Sequence, residues 1–145
     1  MKYVQGPGGL RGPQGLPLWK PPYGSIVATD LKVGETAWTI PNGDTPDSVK
    51  NHPALKGVDL PPTGKRSHAT ILLTKSLLIY GEGRSGSPLL HAVDKATGEK
   101  IAQIDLPAQT NTAPMTYMHE GKQYIICAIA GRGVEAEFVA LKLPD

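Results

Sequence analysis

The feature that most constrains this chain is an internal repeat. Ala28, Asp30, Gly34 and Glu35 return as Ala92, Asp94, Gly98 and Glu99, an A-x-D-x-x-x-G-E unit displaced by 64 residues, from Asp30 to Asp94. A unit that recurs along a chain builds a stack or ring of similar modules, and periods of roughly 20 to 50 residues mark solenoids and propellers. The longer spacing here is accounted for by a Pro-rich stretch, residues 41–65, between the two copies. The repeat carries its own mechanism. Its Asp carboxylate is placed to accept hydrogen bonds from turn amides, and its Gly supplies the left-handed backbone that returns the chain into the next strand. Trp38, four residues beyond Gly34, is expected to return on the outer strand and pack against the neighbouring module; Ala102 holds the same place in the second copy.

Around the repeat the chain reads as short strands. Residues 24–31 and 35–40 form a hairpin about Lys32, Val33 and Gly34. After Ser67, strands are expected over 68–73, 77–81, 89–93, 100–105, 113–118, 123–130 and 137–141, with residues 82–88 read as a connection. No segment sustains a helical period, so the expected fold is nearly all β and antiparallel: a sandwich, a barrel or a propeller. The repeat selects the propeller.

Seventeen Gly and 14 Pro make up more than a fifth of the 145 residues. Many of the glycines fall singly between apolar runs, at positions 34, 81, 98, 121 and 131, which punctuates strands and does not make a low-complexity tract. Residues 1–22 differ: Gly and Pro occur there without the every-third-residue spacing of collagen, and an extended arm leaning on another surface is expected. Residues 23–145 hold the strands. They are interrupted by 41–65, whose prolines at 41, 46, 53, 61 and 62 exclude a long helix and a central strand. A connection this long inside a compact domain serves a site or an interface.

A net charge of +2, from 15 basic and 13 acidic residues dispersed along the chain, offers no block for nucleic acid or an anionic membrane. Cys127 is the only cysteine, so no disulfide forms within the chain, and its place in the apolar run 124–130 predicts a small buried hydrophobe. No apolar stretch reaches the roughly 18 residues of a membrane span, and Met1 leads into polar, Gly-rich sequence, so neither a span nor an export signal is expected in the chain as it stands.

Asp30, Gly34 and Glu35 followed by Trp38 resemble the tryptophan-docking repeat of eight-bladed dehydrogenases that depend on pyrroloquinoline quinone (PQQ). Ala113, Pro114, Met115, Thr116 and Tyr117, followed by Gly121, Lys122, Gln123 and Tyr124, resemble a more specific signature. It is the P-M-T-Y then G-K-Q-Y pair near the C-terminus of membrane-type glucose dehydrogenases and their methanol-oxidising relatives. Leu16, Pro17 and Leu18, the run from Lys20 to Gly24, and the ending from Val139 to Pro144 agree with the same subgroup. The resemblance covers nearly the whole chain. It implies the C-terminal blades of an eight-bladed β-propeller of four-stranded antiparallel sheets, part of a periplasmic quinoprotein oxidoreductase acting on a sugar or alcohol. Its partners would be the remaining blades, the substrate, and a quinone or cytochrome electron acceptor.

In such an enzyme PQQ lies in a funnel near the propeller axis with a calcium ion, and an aspartate base assists hydride removal. The base and most metal ligands come from earlier blades. Asp44, Asp47, Asp59 and Asp105 have loop or outer-strand contexts that do not match it, so this chain is expected to be inactive alone. The resemblance places Arg66, Ser67 and His68 just before an inner strand, where Arg66 would pair with a carboxylate of the acidic cofactor and His68 would hydrogen-bond it. It likewise places Thr112, in the loop from Gln109, and Arg132, between Gly131 and Gly133, in funnel-lining loops. His52, His91 and His119 have no carboxylate at metal-ligand spacing and are expected to be solvated or satisfied locally. Residues 81–86 are Gly-rich, yet the sequence that follows reads as strand, which excludes a phosphate loop. Isolated blades also resemble those of interaction propellers, so a non-catalytic scaffold or binding module is the alternative.

Overall fold

The computed structural model describes residues 11–142. Residues 1–10 of the expected arm and the terminal Leu143 and Pro144 lie outside the described residues. Three antiparallel sheets follow one another along the chain. The first pairs β1 (Ser25–Asp30) with β2 (Glu35–Pro41), the hairpin expected around the first repeat turn. The second is a four-stranded meander of β3 (His68–Leu73), β4 (Leu77–Arg84), β5 (Leu89–Asp94) and β6 (Lys100–Asp105). The third holds β7 (Met115–His119), β8 (Lys122–Gly131) and β9 (Val134–Lys142). Between β2 and β3 the only helical pieces are the single turns α1 (Asp47–Lys50) and Pro53–Leu55, as the prolines require. The chain is nearly all β, a partial propeller of stacked sheets in which the middle sheet alone shows four strands among the described residues.

Strands β3 and β6 begin and end where the sequence places them. Elsewhere most limits shift by a single residue, and three boundaries differ by more. β4 runs on through Glu82, Gly83 and Arg84, which the sequence assigns to a connection. β7 starts at Met115, not at 113, because residues 109–111 already pair with β8: Asn111 N donates to Ala128 O at 3.0 Å and Ala130 N to Gln109 O at 3.1 Å. β9 starts three residues before the expected 137, since the hairpin closes tightly on Gly131, Arg132 and Gly133.

Packing follows the two-residue period of β4. Leu78 and Tyr80 face the first sheet and join Ile26 and Val93, with Trp38 and Ile40 packed against them. Ile79 faces the third sheet with Leu90, Leu106, Ala108, Cys127 and Ile129. A strand covered on both faces reads as an unbroken apolar run, which is why Leu77 to Tyr80 shows no alternation. Cys127 is fully buried, and burial pushes its thiol pKa up; it is the packed hydrophobe expected.

The repeat turns follow the expected chemistry. Asp30 Oδ1 accepts from Lys32 N at 2.8 Å, and Asp94 Oδ1 accepts from Ala96 N at 2.8 Å and Thr97 N at 2.9 Å. Gly34 (φ +76°) and Gly98 (φ +75°) take the left-handed conformation. The turns differ in cover. Trp38 lies against Gly98 so closely that a Cβ there would come within 2.8 Å of the indole, and its Nε1 donates to Lys95 O at 3.0 Å. Trp38 therefore docks the first sheet onto the turn of the second, as expected of a residue that packs between modules.

Candidate functional site

In an antiparallel meander, the start of the first strand, the end of the second and the start of the third share one edge of the sheet. In the second sheet that end carries Ser67, His68 and Arg84, since His68 and Arg84 are register partners. In the third it carries residues 109–112 and the β8–β9 turn with Arg132. Two contacts draw these ends together. Thr70 and Thr110 share a hydroxyl hydrogen bond at 2.9 Å, in space left by Gly81. Gln109 Nε2 donates to Gly86 O at 2.8 Å, while the Gln109 carbonyl holds Ala130, two residues before Arg132.

Arg66, His68, Thr112 and Arg132 are exposed, and among the described residues none of their side chains is engaged in a hydrogen bond or ion pair. Ser67 is half-buried, and its Oγ accepts from Asn42 Nδ2 at 2.8 Å. Asn42 is 3% exposed, and its Oδ1 is a buried acceptor with no partner among the described residues. Three of the chain's four arginines, Arg66, Arg84 and Arg132, stand at this end. All three are exposed, and no carboxylate pairs with them among the described residues. Such an array of free guanidinium groups suits an anionic, carboxylate-bearing ligand.

The residue that sequence reasoning missed is Glu82. It is 1% exposed at the end of β4, facing the first sheet. His91 Nε2 donates to its Oε1 at 3.2 Å, and Ser87 N donates to its Oε2 at 2.6 Å. The His91 ring is stacked on Tyr80 with centroids 4.7 Å apart. Gly43 presses against the carboxylate, where a Cβ would come within 2.7 Å of Oε2. Lys65 Nζ reaches the Ser87 hydroxyl at 2.9 Å. Burial raises the Glu82 pKa, but the hydrogen bonds from His91 and Ser87 and the charge of Lys65 outweigh it, so the carboxyl lies below its ordinary value. Tyr80 is pushed up to about 12 by burial and, secondarily, by the Glu82 charge. A cleft of about 410 Å³ lined by Asp44, Lys65, Glu82, Ser87 and His91 opens beside the pair.

The other candidates have local explanations. His91 is satisfied by Glu82, a carboxylate nine residues upstream that the β4–β5 hairpin brings across. His52 accepts from Ala54 N and contacts the Gln14 carbonyl at 3.0 Å; His119 is exposed beside Glu120. Asp44 pairs with Lys50 at 2.8 Å, which lowers its pKa, while Asp47, Asp59 and Asp105 are exposed. Among the described residues no three His, Cys, Asp or Glu side chains come together to hold a metal ion. Residues 81–86 lead into strand β5, so the Gly-rich run is no phosphate loop. Among the described residues no helix is long and apolar enough to cross a membrane.

Residues 2–125 match the family described as PQQ: glucose/ethanol/alcohol dehydrogenase, β-propeller domain. Over 141 residues the chain is 30% identical to a probable quinate dehydrogenase (quinone) of Xanthomonas campestris pv. juglandis, covering 90% of this chain. It is 31% identical to quinoprotein glucose dehydrogenase A of Acinetobacter calcoaceticus and 32% identical to the quinoprotein glucose dehydrogenase of Escherichia coli K12, each over 92% of this chain. The chain spans 17% of the length of each of these relatives. In fold it is similar to the crystal structure of quinohemoprotein alcohol dehydrogenase from Comamonas testosteroni, with a TM-score of 0.50 and 24% identity over 81% of this chain and 14% of that one.

Proposed function

The chain belongs to the PQQ glucose/ethanol/alcohol dehydrogenase β-propeller family, and from that premise we propose that it is the C-terminal part of a dehydrogenase that oxidises a sugar or alcohol. The observation that carries this reading is the set of strand ends bearing Arg66, Arg84 and Arg132 without carboxylate partners among the described residues. Their donor chemistry fits PQQ, an acidic quinone. When bound, that group supplies the two-electron acceptor for the substrate's C–H bond. Arg66 and Arg132 hold its carboxylates; His68, Ser67 and Thr112 offer hydrogen bonds to its oxygens. The aspartate base and the calcium ion belong to blades outside this chain, which is inactive alone. A periplasmic location and a quinone or cytochrome acceptor complete the reading.

The strand count supports a partial ring. The repeat equates β1 and β2 with β5 and β6, so the first sheet is the outer half of a four-stranded blade, β3 to β6 are a whole blade, and β7 to β9 show no outer strand among the described residues. A groove of about 440 Å³ lined by Ala102, Ile104, Ile125 and Leu141 marks the space beside β9 that such a strand would cover. We take the partners to be the remaining blades, residues 1–22 to be an arm lying on them, and 23–145 to be the propeller portion with its insertion at 41–65. Titration of the purified chain with PQQ tests the reading. Arg66→Ala and Arg132→Ala should each weaken binding roughly tenfold, the equivalent of one charge-assisted hydrogen bond of about 1.5 kcal/mol. Unchanged affinity in both variants, or no binding by the parent chain, would support the scaffold alternative.

A further inference from the structure

Resting on that reading, we propose that Glu82 is the positioning residue for the cofactor-facing ends of two sheets at once. Through the turn over residues 84–88 it sets both the entrance of β3 at Arg66, Ser67 and His68 and the segment 109–112 of the next sheet.

The turn needs an external hold. Ser85 within it takes a left-handed φ of +72°, a conformation that non-glycine residues rarely adopt unaided. Glu82 supplies the hold through its short bond from Ser87 N at 2.6 Å, a charge-assisted contact with little positional freedom. The other carboxylate oxygen is fixed by His91, and His91 in turn by its stack on Tyr80. Two branches leave the turn. Ser87 Oγ accepts from Lys65 Nζ at 2.9 Å, and Lys65 directly precedes Arg66. Gly86 O accepts from Gln109 Nε2 at 2.8 Å, and Gln109 leads into Thr110 and Thr112. A third tie runs through the insertion: Gly43 packs on the carboxylate, and its neighbour Asn42 donates to Ser67 Oγ. One buried carboxylate therefore stands behind segments that the fold brings from three separate parts of the sequence. A hydrophobic residue could fill the volume of Glu82 but could not direct any of these bonds.

The test is amide hydrogen exchange, read by mass spectrometry on the full chain, for the parent, Glu82→Gln, Ser87→Ala and Gln109→Ala. Glu82→Gln should speed exchange tenfold or more in peptides covering both 65–70 and 108–112. Ser87→Ala should do so only in the first and Gln109→Ala only in the second, while the repeat turn over residues 94–99 stays at parental rates in all three. Parental exchange in both segments of Glu82→Gln overturns the proposal, and so does acceleration that spreads equally to residues 94–99, which would mark a merely structural role. PQQ titration of the same proteins separates the two readings. Weaker binding by Glu82→Gln supports the proposal, and parental affinity overturns it. If the parent chain binds no PQQ while the branch-specific exchange persists, the cofactor reading falls and Glu82 stands as the residue that sets these segments.

Discussion

The two faces of β4 are packed by different physics. Toward the third sheet, Ile79 meets Leu90, Leu106, Cys127 and Ile129, and the nearby polar contact is the threonine pair Thr70–Thr110. Toward the first sheet the strand begins as apolar, with Leu78 and Tyr80 on Ile26 and Val93, and ends in the buried Glu82–His91 pair. Apolar burial is non-directional, so it suffices where two sheets need only lie against each other. A buried carboxylate carries a desolvation cost that its hydrogen bonds must offset, and so is weak evidence for stability. Its value lies in direction. The pair occurs on the face and at the end where backbone from a strained turn and from the insertion must be held in place.

Five substitutions would sharpen or break this contrast, each read as a shift of the urea midpoint. Ile129→Ala, in the apolar face and 1% exposed, should have the largest effect, roughly 2–5 kcal/mol, equal at neutral and acid pH. Trp38→Ala removes a half-buried ring that docks the first sheet onto the second and should cost roughly 2 kcal/mol, below the range for fully buried aromatics, again without pH dependence and with PQQ affinity unchanged. Glu82→Gln should cost roughly 1–3 kcal/mol, and here alone the cost should depend on pH. The folded pKa of Glu82 lies below the ordinary carboxyl value of 4.5. Its contribution is therefore complete above that value and is lost as pH falls through the folded pKa, so the gap between parent and Glu82→Gln should narrow on acidification. A gap that stays constant would mean the carboxylate charge does nothing on this face. Gly34→Ala should have the smallest effect, about 1 kcal/mol for a left-handed residue in open space. The equivalent Gly98→Ala should exceed it because Trp38 already occupies the space for a Cβ.

Much of the fold was legible because it rests on local chemistry. The Asp30 and Asp94 turns, the hairpin they close and the limits of β3 and β6 follow from residues close in sequence, and the docking role of Trp38 follows from the repeat that sets Gly34 and Gly98 in equivalent places. Glu82 was not legible. Gly81, Gly83, Arg84, Ser85 and Gly86 surround it with turn residues, yet the strand continues because Gly81 makes room for Thr110 and Gly83 for the His68 carbonyl. The available signal was cross-strand alternation: Leu78, Tyr80 and Glu82 on one strand lie on the same face as His91 and Val93 on the next, once Tyr80 is set opposite His91. That register depends on the turn length, which the glycines obscured. Arg66, Ser67, His68, Thr112 and Arg132 were chosen by resemblance. What ties their segments together, Asn42 to Ser67 and Gln109 to Gly86, spans 25 and 23 residues and depends on tertiary folding.

If these strands form one wall of a PQQ site whose reacting groups lie on other blades, the purified chain given PQQ and calcium should bind PQQ but reduce an artificial dye no faster than PQQ alone, with glucose or simple alcohols as substrate. Turnover on the order of 1 per second would contradict this and show that the whole reaction is contained within these 145 residues.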